Sequence, residues 1–91
     1  MSLTVRIPTQ LRTLTGGAGE IQVEGSSVGE ALKALDAAHP GMADRLFDDS
    51  GGLRRFVNVF LADEDVRFLD GLATPVADGQ TLSIVPAVAG G

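Results

Sequence analysis

Few side chains in this sequence could do chemistry unaided. There is no cysteine and a single histidine, His39. A thiol nucleophile, a disulfide and a cysteine-ligated metal are thereby excluded, and one histidine makes no metal cluster. The informative stretch is the last one, Pro86-Ala87-Val88-Ala89-Gly90-Gly91. Five residues beyond a strand-ending proline reach about 17 Å when extended. Glycine has no Cβ, so Gly90 and Gly91 can thread a narrow channel and offer a terminal carboxylate with little hindrance. The chemistry on offer is acyl chemistry at Gly91. A terminal carboxylate has a pKa of about 3.3–3.7, so at pH 7 it is an anion and a poor electrophile until it is given a leaving group.

Nothing else in the sequence supplies that leaving group. Gly16-Gly17-Ala18-Gly19 lacks the Gly-Lys-Ser/Thr ending of a phosphate-binding loop and reads as a hairpin tip. His39 stands before Pro40-Gly41 and reads as the cap of a helix end, not a base. Asp63-Glu64-Asp65 reads as a solvated turn, not a cation site. The only lysine, Lys33, fits the wet face of a helix. The chain is therefore expected to hold no metal, no permanently bound cofactor and no catalytic residue of its own; activation must come from another protein. Phe56 and Phe60 are open to two readings. Covered by the Leu53 segment or the loops they are extra core, and uncovered they form a docking patch; the docking reading is preferred.

These residues need elements to position them. Leu3, Val5 and Ile7 alternate with polar neighbours and predict a first strand, Leu3 to Ile7, limited by Pro8. After the glycine-rich tip, Ile21 and Val23 predict a second strand, Glu20 to Glu24. Ser27 and Glu30 fit a capping box. Val28, Ala31, Leu32, Leu35 and Ala38 then recur at helical spacing, up to His39-Pro40-Gly41. Met42 to Phe47 adds a short turn, and Asp48 to Gly52 is loop. Phe56 to Leu61 predicts a third strand, Val66 to Phe68 a short one, and Thr81 to Val85 the last. The order strand, strand, helix, strand, short strand, strand predicts an α+β domain over residues 1–86, with 87–91 as a tail. Its core comprises Val5, Ile7, Val23, Leu32, Leu35, Val57, Val59, Leu82 and Ile84. One main helix packs on one face of a mixed sheet, the plan of the ubiquitin-like β-grasp.

Composition agrees. The 91 residues are 44% hydrophobic and 21% charged, enough apolar content for one small domain. Seven basic against twelve acidic residues leave a net charge of −5, which disfavours nucleic acid and anionic lipid. No apolar run approaches the roughly 18–20 residues that cross a bilayer, and Met1 to Arg6 lacks the layout of a secretory signal. A cytoplasmic protein is expected.

Five stretches carry a family resemblance: Arg55-Phe56-Val57-Asn58-Val59, Asp63-Glu64-Asp65-Val66-Arg67-Phe68, Gly71-Leu72-Ala73-Thr74, Ala77-Asp78-Gly79 and Pro86-Ala87-Val88-Ala89-Gly90-Gly91. In these the sequence resembles the ThiS/MoaD sulfur-carrier family, and most closely its cysteine-biosynthesis (CysO-like) branch. The resemblance implies that Gly91 is the functional residue, with Val88, Ala89 and Gly90 as its tail. It implies an ATP-using, ubiquitin-activating-type adenylyltransferase/sulfurtransferase that adenylates the Gly91 carboxylate and converts it to a thiocarboxylate. It also implies a sulfur-accepting biosynthetic enzyme, such as a cysteine synthase or one like thiazole synthase. A ubiquitin-like modifier joined through Gly91, or a binding subunit with an inert tail, stays open beside it.

Overall fold

Leu3 and Val5 are buried while their neighbours are not, and this alternation forms the first strand, β1 (Ser2–Arg6), in a computed structural model that describes residues 1–86. The expected tail, 87–91, lies outside the described residues. β1 stops two residues short of Pro8. Between β1 and the glycine-rich reversal stands a 3₁₀ helix, Thr9–Thr15, where the sequence pattern predicts no element. Two anchors hold it. Leu11 and Thr15 are buried, and the Thr15 hydroxyl donates to the carbonyls of Arg12 (3.2 Å) or Ala18 (2.8 Å). Gly16 and Gly17, at φ +66° and +95°, then reverse the chain into β2 (Glu20–Glu24), antiparallel to β1 with Leu3 opposite Val23.

The main helix, α1 (Val28–Ala38), is capped much as its sequence suggests. The Ser27 Oγ accepts from the Glu30 N–H at 3.2 Å. The Glu30 carboxylate, however, reaches one residue further back than a capping box requires, to the Ser26 N–H (2.9 Å) and hydroxyl (2.8 Å). Val28, Ala31, Leu32 and Leu35 are buried on the inward face. A short helix, α2 (Met42–Leu46), follows the Pro40-Gly41 break and buries Met42 and Leu46 completely. Asp36 ties the two helices together by accepting from the Ala43 N–H at 2.8 Å.

Three more strands complete the sheet: β3 (Val57–Leu61), β4 (Glu64–Asp65) and β5 (Thr81–Pro86), in the order β2-β1-β5-β3-β4. β1 and β5 are parallel and all other pairs antiparallel, so the sheet is mixed. All nine residues expected in the core are buried. Two expectations are corrected. Phe56 precedes the third strand, because the Val57 N–H turns back to the Arg54 carbonyl. The short strand is Glu64–Asp65, within the expected turn, while Val66–Phe68 is a 3₁₀ turn capped by Asp65, whose Oδ1 accepts from the Arg67 N–H at 2.9 Å. That turn drives Val66 into the core, where it is fully buried.

Candidate functional site at the end of the last strand

The strand that leads into the tail is the middle one. β5 lies between β1 and β3, paired with β3 from Leu82 to Pro86 and with β1 from Thr81 to Ser83. Leu82 and Ile84 anchor it from below in the core. The described chain therefore ends, at Pro86, on a backbone held by hydrogen bonds and packing. Gly91, Gly90, Ala89 and Val88 themselves lie outside the described residues.

The two phenylalanines singled out in the sequence lie on or just ahead of β3, alongside β5. Val57, Val59 and Leu61 face the core, so Phe60 points to the sheet face away from α1 and is half-buried. It stands opposite Ser83 on one side and Asp65 on the other. Phe56 lies just ahead of β3, whose first residue faces Pro86, and is 56% exposed. The Leu53 segment does not add it to the core: Leu53 bridges to Phe47 and packs on the helix side. Val85, 43% exposed and opposite Asn58, extends the same open face. Sequence reasoning passed over Val85. Its signal was parity, since a residue between inward Ile84 and Pro86 must point outward.

Arginine rims the apolar face. The Arg67 guanidinium donates to Asn58 Oδ1 (2.9 Å) and to the Arg54 carbonyl (2.6 Å), which places it beside β3 at the tail end of the sheet. Phe68 (87% exposed) and Leu69 (40% exposed) lie just beyond, in the 3₁₀ turn and its cap, and were not foreseen as surface residues.

The remaining candidates are dispersed. His39 is the C-cap of α1, its N–H on the Leu35 carbonyl at 2.8 Å. Lys33 is exposed on α1. Among the described residues no group of three or more histidines and acids is placed to hold a metal ion, and no helix is long and apolar enough to cross a membrane. Two carboxyls are held below their ordinary pKa, Glu30 by the Ser26 N–H and hydroxyl and Asp48 by the Ser50 hydroxyl. Both close local turns.

Comparison with known proteins matches this geometry. Residues 5–91 fit the model of the ThiS family. Across 93 aligned positions the chain is 50% identical to the sulfur carrier protein CysO of Mycobacterium tuberculosis, covering all of both sequences. It is 42% identical over 66 residues to small archaeal modifier protein 3 of Haloferax volcanii, 72% of this chain and 71% of that one. Among solved structures, a chain of the Amycolatopsis orientalis BexX/CysO complex superposes with a TM-score of 0.92 at 48% identity, covering 98% of this chain and 99% of the other. The crystal structure of Haloferax volcanii SAMP1 covers all of both chains with a TM-score of 0.85 at 31% identity. The mixed five-strand sheet with its packed helix is the ubiquitin-like β-grasp.

Proposed function

The chain belongs to the ThiS family, and from that premise we propose that it is a sulfur carrier whose cargo is held at the carboxyl carbon of Gly91. The observation that carries this reading is the 50% identity to CysO over the whole of both sequences, tail included. The absence of cysteine adds to it, since a carried sulfur has no side-chain thiol to sit on.

The steps follow from carboxylate chemistry. In the activating enzyme a Gly91 carboxylate oxygen attacks the α-phosphorus of ATP, pyrophosphate leaves, and an acyl-adenylate forms. A sulfur nucleophile then adds to the carbonyl carbon and AMP departs with the bonding pair. With hydrosulfide as that nucleophile the sulfur keeps its oxidation state, its proton passes to solvent, and the chain ends in a thiocarboxylate. The acceptor enzyme takes that sulfur as sulfide in a biosynthetic step, cysteine synthesis being the branch that the CysO relatives favour. Catalysis belongs to the partners. This chain contributes a rigid mount in β5, a narrow Gly90-Gly91 end, and an exposed face around Phe56, Phe60 and Val85 for docking. The BexX/CysO complex supports the idea that such a fold docks on a partner as a folded unit.

The small archaeal modifier proteins among its relatives favour a second reading, in which the activated Gly91 is passed to a lysine of another protein. Intact mass measurement of the chain from its native cell separates the two. Sulfur in place of one terminal oxygen is the expected result. Branched Gly-Gly remnants on other proteins, with no sulfur on the free chain, would favour the modifier, and neither would leave an inert tail.

A further inference from the structure

The last strand outruns one of its neighbours. β5 stays paired with β3 as far as Pro86, but its partners on β1 end at Ser83. The cause lies in residue 8. In a parallel ladder alternate residues carry the bonds to one neighbour. The Thr4 N–H donates to the Gln80 carbonyl at 3.0 Å, so even-numbered carbonyls of this segment face β1. The Thr81 carbonyl, accepting from the Ala62 N–H at 3.1 Å, faces the other way. Two steps on from Thr4, the Arg6 N–H meets the Leu82 carbonyl, and the next donor, for the Ile84 carbonyl, would be residue 8. Residue 8 is proline and has no N–H. No turn, loop or side-chain hydrogen bond among the described residues ends on the Ile84 carbonyl instead.

That acceptor borders a cleft of about 640 Å³ between Pro8, Gln10 and Arg12 on one wall and Ser83 to Pro86 on the other, with Arg6 and Glu20 at its rim. Arg12 is held in place, its Nε donating to the Ile7 carbonyl at 3.0 Å and its guanidinium packed over Gly19, where a Cβ would stand 3.2 Å from Cζ. Arg6 faces Glu20 across the strand pair without an ion pair. Among the described residues the one ion pair within 4.0 Å joins the amino terminus to Glu24. Both guanidinium charges thus lack a carboxylate partner there. This is a strand edge with an open acceptor beside two guanidinium groups that make no ion pair within 4.0 Å among the described residues, in a chain whose net charge is −5.

We propose that this cleft receives an extended acidic segment of a partner protein, which adds beside the end of β5. One of its main-chain N–H groups takes the place that Pro8 leaves empty at the Ile84 carbonyl, and its carboxylates lie on Arg6 and Arg12. The chain's negative charge opposes an acidic segment elsewhere on the surface, so the local arginines also set the address. A partner gripping here holds the root of the tail, whatever the tail carries, so the proposal stands apart from the chemistry at Gly91.

The test is a ¹⁵N NMR titration of the full chain with a capped hexapeptide, Asp-Val-Asp-Val-Glu-Val, and with its Asn/Gln counterpart. The acidic peptide is expected to give saturable shifts confined to residues 6–12 and the Ile84 and Val85 amides. The neutral peptide, the variant R6E and the milder R6Q should each weaken binding, by about tenfold for R6E, as loss of a charge-assisted hydrogen bond implies. Arg6 is exposed, so both variants should keep the parent spectrum away from their own site. Equal binding of the two peptides, or shifts centred on Phe56 and Phe60, would overturn the proposal. So would movement of the same resonances with chain concentration alone, which would assign the edge to a second copy.

Discussion

Replacing Phe60 with alanine separates docking from folding, because the two losses differ in size. Phe60 lies half-buried on an uncovered sheet face between Ser83 and Asp65, both short side chains. Its truncation leaves no closed cavity. The fold loses a cross-strand contact of about 0.2–1 kcal/mol. For a domain of this length that lowers the melting temperature by roughly 8 °C at most. At an interface the same ring, buried by a partner, acts as an aromatic anchor of about 2 kcal/mol or more, which is about 30-fold in Kd. Titration calorimetry against the cognate activating enzyme or sulfur acceptor reads the second effect, and a circular dichroism melt reads the first. The expected pattern is a large affinity loss with a small melting shift. Unchanged affinity for both partners would remove Phe60 from the docking surface. A melting drop far above that limit would show that it serves the core instead.

Further expectations concern the scaffold. Leu35→Ala and Val59→Ala empty fully buried positions and should cost about 2–5 kcal/mol for the leucine and less for the valine; unchanged melts for both would refute the core assignment. Glu30 has a lowered pKa because the Ser26 N–H and hydroxyl hold its charged form. Its contribution to stability is therefore complete above the ordinary glutamate value, about 4.3, and is lost as pH falls through the lowered folded value. E30Q should be less stable than the parent near neutral pH, with the gap closing in acid, and a constant gap across pH would contradict the cap. Gly25→Ala would bring a Cβ to 2.8 Å from the Ala31 nitrogen, between the end of β2 and the first turn of α1. A loss of stability is expected, and a melt equal to the parent's would show that this junction yields freely.

Much of the scaffold was legible because its signals are local. Alternating apolar residues marked β1, β2 and β5, a run apolar on both faces marked β3, and the Val28-Ala31-Leu32-Leu35 spacing with Ser27 marked α1. What escaped detection depends on tertiary contacts. The Thr9–Thr15 helix exists because Leu11 and Thr15 find the core, which a glycine-rich context hides. The β4 position shifted because burying Val66 outweighs the strand propensity of Val66-Arg67-Phe68. The Arg6–Arg12 cleft requires the strand order β2-β1-β5 and its register, neither of which residue periodicity reveals. Gly91 is proposed as the functional residue from the resemblance, and it lies outside the described residues.

Whether sulfur is carried on Gly91 is decided by intact mass spectrometry after loading in vitro. The chain is incubated with its cognate activating enzyme, ATP and a sulfur source, beside a variant with one residue appended after Gly91. That residue displaces the reacting carbon by about 3.3–3.6 Å. The native chain should gain one sulfur in place of one oxygen, with the change located at Gly91 by fragmentation. The extended chain should fold normally and gain nothing. Efficient loading of the extended, unprocessed chain, or no loading of the native one, would contradict sulfur carriage on Gly91.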